Sequence, residues 1–519
     1  MAVIIIAITV FLYVQIIRIT FFFNLLTAIY INVASSTLVE IIGTIVLGCG
    51  IICESIVFIH LFLYLILCYQ GAAGYQNKKN NDQTSNSPGV TVLIPTCDEP
   101  PESIERSLSS VQNLEYPNLR VILVENSRNY DYKKIAHQLA VKYRIDVIDI
   151  PNRGTKASAL NDARPFLDQN IKYLAVFDAD QLILKNLIRD LLPILEEETN
   201  LAFIQTAQAY ENNNESLLAF AASQQQMLVY DCVMEGKAIK NRVPCFGTNF
   251  VMRLDALDSI GGWDETNVTE DLATSYHIHK KGWKSKYIRK IYALGLAPPS
   301  LEAYWRQQKR WATGNSSLAL SLIKGVFKQD KTNFTIAIEY LWSAGFYLNT
   351  FLISFLSLLP TITLIAGFLF VPEFYLFRYH FGSPVWIFVS LYSLYILVLF
   401  FPLMNMFMRG YPLFNMLLVQ SLTTITSPVY FKGVKASIFD RSPVLFETSL
   451  RKKTSQTNNR RRPWCTPQTG GLIVFTITGS FFTSLAISNP DNPIAWILSF
   501  WSFIHSLSLG HIFLFDIRN

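Results

Sequence analysis

Two aspartates separated by one residue follow an apolar stretch about a third of the way along the chain. Asp178 and Asp180 come directly after the apolar run YLAVF at 173–177, at the point where a strand would end in a loop. Carboxylates at this spacing can hold one divalent cation beside a diphosphate, because Mg²⁺ and Mn²⁺ prefer oxygen ligands and a diphosphate supplies further oxygens. The alternative is a solvated turn, which is the commoner explanation of an isolated Asp-x-Asp pair.

Basic residues elsewhere in the chain suit an anionic ligand. Lys156 opens the helical pattern KASALN, and an ammonium group near a helix start suits a phosphate, although a single lysine there is more often a surface residue. Further along, Gln307, Arg310 and Trp311 are spaced i, i+3 and i+4 and share one face of a helix. An arginine beside a tryptophan fits a diphosphate next to a sugar ring. The alternative for this run is a basic amphipathic helix lying on a membrane.

An acidic pair provides a candidate general base. Glu270 and Asp271 follow Thr269, shortly after the Gly-Gly-Trp turn at 261–263. A carboxylate at this position can take the proton from a hydroxyl nucleophile. The alternative is a helix N-cap, which is the commoner role of acidic residues at a helix start.

Strands and helices alternate between residues 89 and about 324, and this alternation must bring the candidate residues together. VTVLIPT, RVILVEN, DVIDI and KYLAVFDAD read as short buried strands with helical patterns between them. Such alternation predicts an α/β domain with a mostly parallel sheet that binds ligands at the carboxyl ends of its strands. The polar residues 72–88 before it read as a linker.

Long apolar runs flank this domain on both sides. Of the 519 residues 51% are hydrophobic and 16% are charged, against roughly 25% charged in a soluble protein, which excludes a disordered chain and a basic nucleic-acid-coating protein. The scattered cysteines form no Cys-x-x-Cys pair and argue against a structural zinc site. About 20 apolar residues span a bilayer, so we expect transmembrane helices within the runs 2–33, 39–69, 338–371, 384–408, 471–488 and 494–516.

The charge of the loops predicts the orientation. Segment 409–470 contains ten Lys or Arg residues against Asp440 and Glu447, which places it in the cytoplasm by the positive-inside rule. Counting spans from it puts both termini and residues 70–337 on the same side. We therefore expect a multi-pass protein of the plasma membrane.

The order of the motifs resembles that of the processive family 2 glycosyltransferases, the group of cellulose and hyaluronan synthases. Asp-Ala-Asp at 178–180, Thr-Glu-Asp at 269–271 and Gln-x-x-Arg-Trp at 307–311 occur in the family's order, ahead of membrane helices. The similarity covers about residues 91–315 and is greatest to the bacterial cellulose synthase catalytic subunit. It implies an α/β nucleotide-sugar-binding domain of glycosyltransferase A type, inserted in a six-helix transmembrane domain.

The resemblance also implies roles for individual residues at a donor site. The positions that match the family's donor-binding residues are Thr96, Glu99, Glu125, Lys156, Asp178, Gln307 and Arg310, and Asp180 matches the metal ligand for Mg²⁺ or Mn²⁺. In that family the first loops hold uridine, and the lysine, glutamine and arginine hold the diphosphate. Here Glu125-Asn-Ser replaces Asp-Asp-Gly, and Cys97 replaces a tyrosine, which leaves the nucleotide and the sugar open.

At the acceptor site the resemblance assigns the base to Asp271 and the platform for the terminal sugar to Trp311. The other matching acceptor positions are Phe246, Gly247, Thr248 and Glu270. A mobile gating loop of the family is similar to a segment that includes Phe446, Thr448, Ser449 and Arg451.

The expected domains follow from these assignments. They are two transmembrane helices in 1–71, the linker 72–88, a cytoplasmic glycosyltransferase domain in 89–325, and four transmembrane helices in 326–519 that include the amphipathic and gating segment 409–470.

The expected function is that of a hexosyltransferase that polymerises the sugar of a nucleotide sugar into a β-glucan and moves this polymer across the membrane. UDP-glucose is the first candidate for the nucleotide sugar. Its partners are then the nucleotide sugar, the growing polysaccharide, the lipid bilayer and accessory or identical subunits, but not nucleic acid. Three alternatives remain: a non-processive transferase acting on a lipid carrier, a synthase of another polymer (β-1,3-glucan, mannan, chitin or hyaluronan type), and a non-enzymatic transporter.

Overall fold

The computed structural model describes residues 38–74, 87–327, 334–352, 409–439, 467–488 and 493–517, together with a few single positions. The chain divides into two compact units. The helical unit comprises residues 1–65, 348–428 and 460–517, and the α/β unit comprises residues 66–347, 429–459 and 518–519.

Within the described residues, an eight-stranded sheet forms the centre of the α/β unit. Its strands are β1 (Gly89–Thr96), β2 (Leu119–Glu125), β3 (Asp146–Asp149), β4 (Ile171–Val176), β5 (Leu182–Ile183), β6 (Leu201–Tyr210), β7 (Phe250–Arg253) and β8 (Lys284–Gly295). Across the sheet they lie in the order β3-β2-β1-β4-β7-β6-β8-β5. β1 is parallel to β2 and β4, β2 to β3, and β6 to β8, whereas β7 is antiparallel to both neighbours and β5 to β8. The predicted mostly parallel sheet is therefore confirmed.

Strand β1 shows why the sheet is covered on both faces. Its sequence is largely apolar, which is typical of a strand that is buried on both sides. Val92 and Ile94 belong to one hydrophobic core together with Tyr173 of β4, whereas Leu93 belongs to a second core together with Val176. Because successive side chains of a strand point to opposite faces, one strand contributes to both cores.

Fifteen α-helices are described in the two units. They are α1 (Leu38–Gly74), α2 (Pro101–Val111), α3 (Tyr130–Tyr143), α4 (Lys156–Ala163), α5 (Leu187–Glu197), α6 (Leu217–Leu228), α7 (Glu235–Ile239), α8 (Leu254–Asp258), α9 (Glu270–Lys280), α10 (Leu301–Phe327), α11 (Phe334–Ala344), α12 (Leu413–Phe439), α13 (Pro467–Ser488), α14 (Pro493–Gly510) and α15 (Ile512–Ile517). A π-helical turn, Val229–Met234, joins α6 to α7.

The second half of α12 packs closely on α10. A Cβ atom added to Gly433 would lie 2.6 Å from the Cβ of Ala312 and 3.0 Å from the carbonyl oxygen of Lys309. Glycine at this crossing therefore permits an approach that no larger residue allows. The contact attaches the part of α12 beyond Val429 to the α/β unit.

Two helices among the described residues are long and apolar enough to cross a membrane. They comprise Ile51–Gly71 and Gln468–Ser488, each of 21 residues, and they coincide with two of the predicted apolar runs. The six-helix arrangement stays a prediction, because much of the other apolar sequence lies outside the described residues, namely 2–33, most of 338–371, and 384–408.

In the helical unit α13 and α14 form an antiparallel pair with small and hydroxylated residues between them. The hydroxyl groups of Thr483 and Ser499 are 2.6 Å apart. A Cβ atom at Gly479 would lie 3.2 Å from the ring of Phe503. Such residues are typical of helix interfaces within membranes, where close backbone approach and hydroxyl hydrogen bonds hold helices together.

Candidate active site

The residues predicted to act together lie at the carboxyl ends of neighbouring parallel strands. Thr96 ends β1, Glu125 ends β2, and Asp178 and Asp180 follow β4. These ends meet at one edge of the sheet, because β1 lies between β2 and β4. This is the position at which open α/β sheets bind their ligands.

Lys156 reaches this edge from the first position of α4. The hydroxyl of Thr155 accepts a hydrogen bond from the N–H of Ser158 at 3.1 Å and so starts the helix at the lysine. The Lys156 Nζ lies 2.5 Å from Asp178 Oδ1 and 2.7 Å from the carbonyl oxygen of Gly247. Burial lowers the pKa of Lys156, but nearby carboxylates, Asp178 foremost, outweigh it and raise the pKa overall. The lysine is therefore a buried cation at the centre of the site.

Acidic groups crowd around the Asp-x-Asp pair. Burial, and after it the charge of Asp178, raises the pKa of Asp180 to about 6. Burial and the charges of Asp180 and Asp178 also raise the pKa of Glu99 well above its ordinary value, against the opposing effect of Arg310. Glu99, Asp178 and Asp180 thus form a group of acids in which each disfavours the ionised form of its neighbours.

This group of half-buried carboxylates fits a divalent cation. A cation would stabilise the ionised forms that burial and mutual repulsion now disfavour. Within the described parts of the chain, no three His, Cys, Asp or Glu side chains are placed to hold a metal ion by themselves. Asp180, with Asp178 beside it, would therefore supply protein oxygens while a bound diphosphate supplied the rest.

A buried glutamine holds the loop that faces Lys156. Gln205 Nε2 donates to the carbonyl oxygen of Thr248 at 2.9 Å, and its Oε1 accepts from the N–H of Phe246 at 3.0 Å. The Thr248 hydroxyl in turn accepts from the N–H of Asp178 at 3.1 Å. The support that Gln205 gives to this loop depends on packing that the sequence does not reveal.

The same loop touches the acidic pair at the start of α9. Gly247 has a positive φ of 79°, and a Cβ atom there would lie 3.1 Å from Asp271 Oδ2. Cys245 donates its N–H to the hydroxyl of Ser275, which donates to the carbonyl oxygen of Asp271, both at 2.8 Å. Lys156, Gly247, Cys245 and Asp271 line one small cavity. Ser275 is a supporting residue that the sequence analysis missed, since an isolated serine in a helix has no motif around it.

Glu270 and Asp271 occupy the first turn of α9 and are both half-buried. Burial and the charge of Asp271 raise the pKa of Glu270 to about 7, against the opposing effect of Lys156 and Arg310. Burial also raises the pKa of Asp271, but the N–H of Leu272 and the charges of Lys156 and Arg310 oppose that rise. The charge of Asp271 therefore favours a proton on Glu270, and an ionised Asp271 is the form that a general base requires.

Helix α10 carries the Gln-x-x-Arg-Trp residues past this acidic pair. Gln307, Arg310 and Trp311 are half-buried and share a face of one continuous helix, as predicted. A Cβ atom at Gly314 would lie 2.6 Å from the hydroxyl oxygen of Thr269, so the helix approaches the start of α9 at contact distance. This contact explains why the Arg310 charge acts on the acids of α9.

The loops after β1 and β2 are joined by hydrogen bonds between their own side chains. Glu125 is fully buried; its Oε2 accepts from the Thr96 hydroxyl at 2.8 Å and its Oε1 accepts from the N–H of Ser127 at 2.6 Å. Asp98, at a left-handed φ of 55°, accepts from the N–H groups of Arg128 and Asn129 at 3.0 Å each. Glu125 and Asp98 therefore fix the shape of the two loops that border the site.

Cys97, at the position where the family has a tyrosine, lies within the same group of loops. Asn152 Nδ2 donates to its sulfur at 3.4 Å. Burial raises the pKa of the Cys97 thiol to about 11, so it is a neutral packing group rather than a nucleophile.

The predicted gating residues Phe446, Thr448, Ser449 and Arg451 lie outside the described residues. Their role stays a prediction.

Known proteins that carry related sequences are similar to about half of this chain. Residues 173–408 match the family described as "Glycosyl transferase family group 2". A probable glucomannan 4-beta-mannosyltransferase 11 of Oryza sativa is 27% identical over 50% of this chain and 47% of its own length. The poly-beta-1,6-N-acetyl-D-glucosamine synthase of Staphylococcus epidermidis is 24% identical over 48% and 60%, and the cellulose synthase catalytic subunit of Pseudomonas fluorescens is 29% identical over 44% and 31%. These matches confirm the predicted resemblance, and the chain spans about half the length of the curated relatives it matches.

A solved structure shares the fold. The mannosyltransferase PcManGT from Pyrobaculum calidifontis, solved in complex with GDP-Man and Mn²⁺, matches with a TM-score of 0.51 at 14% sequence identity and covers 76% of this chain and 99% of its own. The predicted glycosyltransferase A type of fold is thereby confirmed.

Proposed function

We propose, from the glycosyltransferase family 2 domain that this chain contains, that the protein is a membrane-embedded, processive, inverting hexosyltransferase. It transfers the sugar of a nucleotide sugar to the non-reducing end of a growing polysaccharide. One observation above all supports this. The buried Lys156 ammonium lies 2.5 Å from Asp178, and the charges of Glu270 and Asp271 act on the same group. Donor-type and base-type residues therefore meet in one site.

The arrangement accounts for an in-line displacement. Asp271 takes the proton from the acceptor hydroxyl, whose oxygen bonds to the anomeric carbon while the bond to the diphosphate oxygen breaks on the opposite face. Lys156 and Arg310 pair with the departing diphosphate, with Gln307 on the same helix face. Mg²⁺ or Mn²⁺ held by Asp180 would supply further stabilisation of the leaving group's charge.

The donor that we propose first is UDP-glucose, and the product a cellulose-like β-glucan. The similarity to a cellulose synthase catalytic subunit supports this choice. A mannose polymer made from a GDP-linked donor is the second candidate, because a glucomannan mannosyltransferase is among the relatives and the structural neighbour was solved with GDP-Man. In either case Thr96, Glu99 and Glu125 belong to the nucleotide pocket.

The acceptor and the membrane complete the proposal. Trp311 provides the surface for the terminal sugar, beside Glu270 and the loop 246–248. The polymer leaves through the transmembrane helices, two of which have candidate spans in the described residues. The catalytic domain and both termini lie in the cytoplasm, and the bilayer, the polymer and further subunits are the partners.

Product analysis tests this proposal directly. The purified full-length chain is supplied with Mg²⁺ or Mn²⁺ and, in turn, radiolabelled UDP-glucose, UDP-N-acetylglucosamine and GDP-mannose, and products are resolved by size and linkage. We expect a long β-glucan from UDP-glucose only, and none in excess EDTA. Polymer from GDP-mannose would establish the second candidate, whereas single sugars on a lipid would contradict processive synthesis.

A further inference from the structure

Three cationic side chains surround one acid at the end of α7. Lys240 and Arg242 both pair with Glu339 on α11, at distances of 3.6 and 3.2 Å. Lys237 is close enough to both cations and to Glu339 for all three to affect its pKa. We call Lys237, Lys240 and Arg242 the basic cluster. Among the described residues, it carries more positive charge than the carboxylate of Glu339 can balance.

Lys237 is buried against aromatic rings. Its Nζ lies 5.9 Å from the ring centre of Tyr340 and 5.3 Å from that of Trp342. Burial, together with Lys240 and Arg242, lowers the pKa of Lys237 to about 8 despite Glu339. Aromatic faces stabilise a cation in such a desolvated position. A neighbouring anion would stabilise the same cation more strongly. An additional anion would therefore favour the charged form of this lysine.

The backbone holds the basic cluster in a fixed shape. Asn241 adopts a left-handed φ of 52° directly after the last turn of α7. The N–H of Arg242 donates to the carbonyl oxygen of Lys237 at 3.3 Å, and the N–H of Ser285 donates to that of Asn241 at 2.9 Å. These backbone hydrogen bonds fix the turn that carries Lys240 and Arg242, so both cations are held beside Glu339.

Exposed apolar side chains lie around the cluster. Ile239 between Lys237 and Lys240 is 44% exposed, and on α11 Phe334 and Ile338 are 52% and 37% exposed. Phe334, Ile338 and Trp342 follow one another at i+4 and form one stripe of the helix, which ends at Lys237. Cations beside exposed apolar and tryptophan side chains are typical of a surface at the boundary of lipid headgroups. The predicted apolar run 338–371 begins at this point.

We propose that the basic cluster binds the headgroup phosphate of anionic lipids, in the leaflet that faces the α/β unit. The inference rests on the membrane location given under the proposed function. A phosphate between Lys240 and Arg242 would balance the positive charge that Glu339 does not neutralise. It would lie level with the start of the predicted apolar run 338–371. Anionic lipids of the cytoplasmic leaflet attract basic groups near a helix end in this way. Free phosphate has the same chemistry, and the test below separates the two sources.

The test compares lipid binding by the full-length chain in nanodiscs. Discs of phosphatidylcholine alone are compared with discs that contain about 30% phosphatidylglycerol. Native mass spectrometry gives the lipids retained, and thermal melting gives the stabilisation. Wild type should retain phosphatidylglycerol selectively and melt at a higher temperature in its presence. Lys240→Gln with Arg242→Gln should reduce that selectivity about tenfold and abolish the rise, whereas Lys240→Arg with Arg242→Lys should keep both.

A matched control exists on the same unit. Lys185 and Arg189 share Glu115, at 2.9 Å each, much as Lys240 and Arg242 share Glu339. Lys185→Gln with Arg189→Gln removes the same charge and should leave lipid selectivity unchanged. The double variant Lys240→Gln with Arg242→Gln is useful only if it melts cooperatively in discs of phosphatidylcholine. If it does not, the single variant Lys240→Gln is used in its place, because Arg242 then still pairs with Glu339.

Three results would overturn the inference. They are a cluster variant that responds to phosphatidylglycerol as wild type does, an equal loss in the control variant, and a full melting shift from inorganic phosphate in discs of phosphatidylcholine alone. None of these readouts needs sugar transfer, so an inactive enzyme would not affect them. A chain that makes polymer but shows no lipid selectivity would contradict this inference alone.

Discussion

Asp271 and Glu270 are adjacent half-buried acids in one site. Burial raises the pKa of both acids, and Lys156 and Arg310 lower the pKa of both. The charge of Asp271 in addition raises the pKa of Glu270 to about 7, and two acids this close share their protons. This arrangement favours a proton on Glu270 beside an ionised Asp271.

Replacement of each acid by its amide should give opposite results. Asp271→Asn removes the base, so turnover should fall about 10²- to 10⁴-fold with nucleotide affinity retained. Glu270→Gln replaces an acid whose pKa is raised to about 7 by an uncharged group of the same shape, so it should keep most of the activity. In wild type, turnover should be lost as the pH falls through the raised pKa of Asp271, which lies above the ordinary aspartate range. Steady-state rates across pH and nucleotide titrations measure these effects, and an equal loss in both variants would contradict the assignment.

Glu125 offers a second comparison at this scale. Its two oxygens are bonded to the Thr96 hydroxyl and to the N–H of Ser127 inside the loops. Glu125→Ala should leave those groups unsatisfied, which costs about 1–3 kcal/mol, and should weaken binding of every nucleoside diphosphate by a similar factor. Glu125→Gln keeps one acceptor and should lose less. Calorimetric titration with UDP, GDP and ADP tests this; a loss confined to UDP would instead indicate a direct contact with uracil.

At the scale of elements, local sequence predicts the strands but not all of their pairing. The apolar runs predicted β1, β2 and β4 to within a few residues, because a strand buried on both faces is continuously hydrophobic. The shorter run DVIDI predicted β3, which is a partly exposed edge strand. The antiparallel insertion of β7 between β4 and β6 was not predicted, since pairing direction depends on contacts distant in sequence. The motif residues converge as expected, but the support from Gln205 and Ser275 required the folded chain.

The crossing of α10 over the start of α9 yields a prediction with a control on the same helix. A Cβ atom at Gly314 would lie 2.6–2.7 Å from the side chain and backbone nitrogen of Thr269, so Gly314→Ala must displace one element. Misplacement of this order can reduce turnover up to about a hundredfold. Among the described residues, no atom lies within 4 Å of a Cβ atom added to Gly325. Gly325→Ala should therefore keep activity and stabilise the helix by about 0.5–1 kcal/mol. Turnover and melting of both variants decide this, and equal behaviour would show that the crossing is not a constraint.

For the whole molecule, packing supports the orientation that charge predicts. The basic segment 409–470 is expected in the cytoplasm from its ten Lys and Arg residues. The second half of α12, which belongs to this segment, packs on α10 of the α/β unit through Gly433. A segment in contact with the α/β unit must lie on the same side of the membrane as that unit, so we expect both in the cytoplasm. The two arguments use different observations, because one counts side-chain charges and the other follows a backbone contact.

Cysteine labelling tests this orientation. In a variant without native cysteines, Ser455→Cys lies in the basic segment and Asp491→Cys lies in the short polar connection at 489–493, which we expect outside. A membrane-impermeant maleimide added to intact cells should label Asp491→Cys at once, and Ser455→Cys only after permeabilisation. Both sites are polar, so a difference between them reports the side of the membrane rather than burial. Labelling of Ser455→Cys in intact cells would place the basic segment outside, and with it the domain that α12 contacts, where no cytoplasmic nucleotide sugar could reach Lys156 and Asp178.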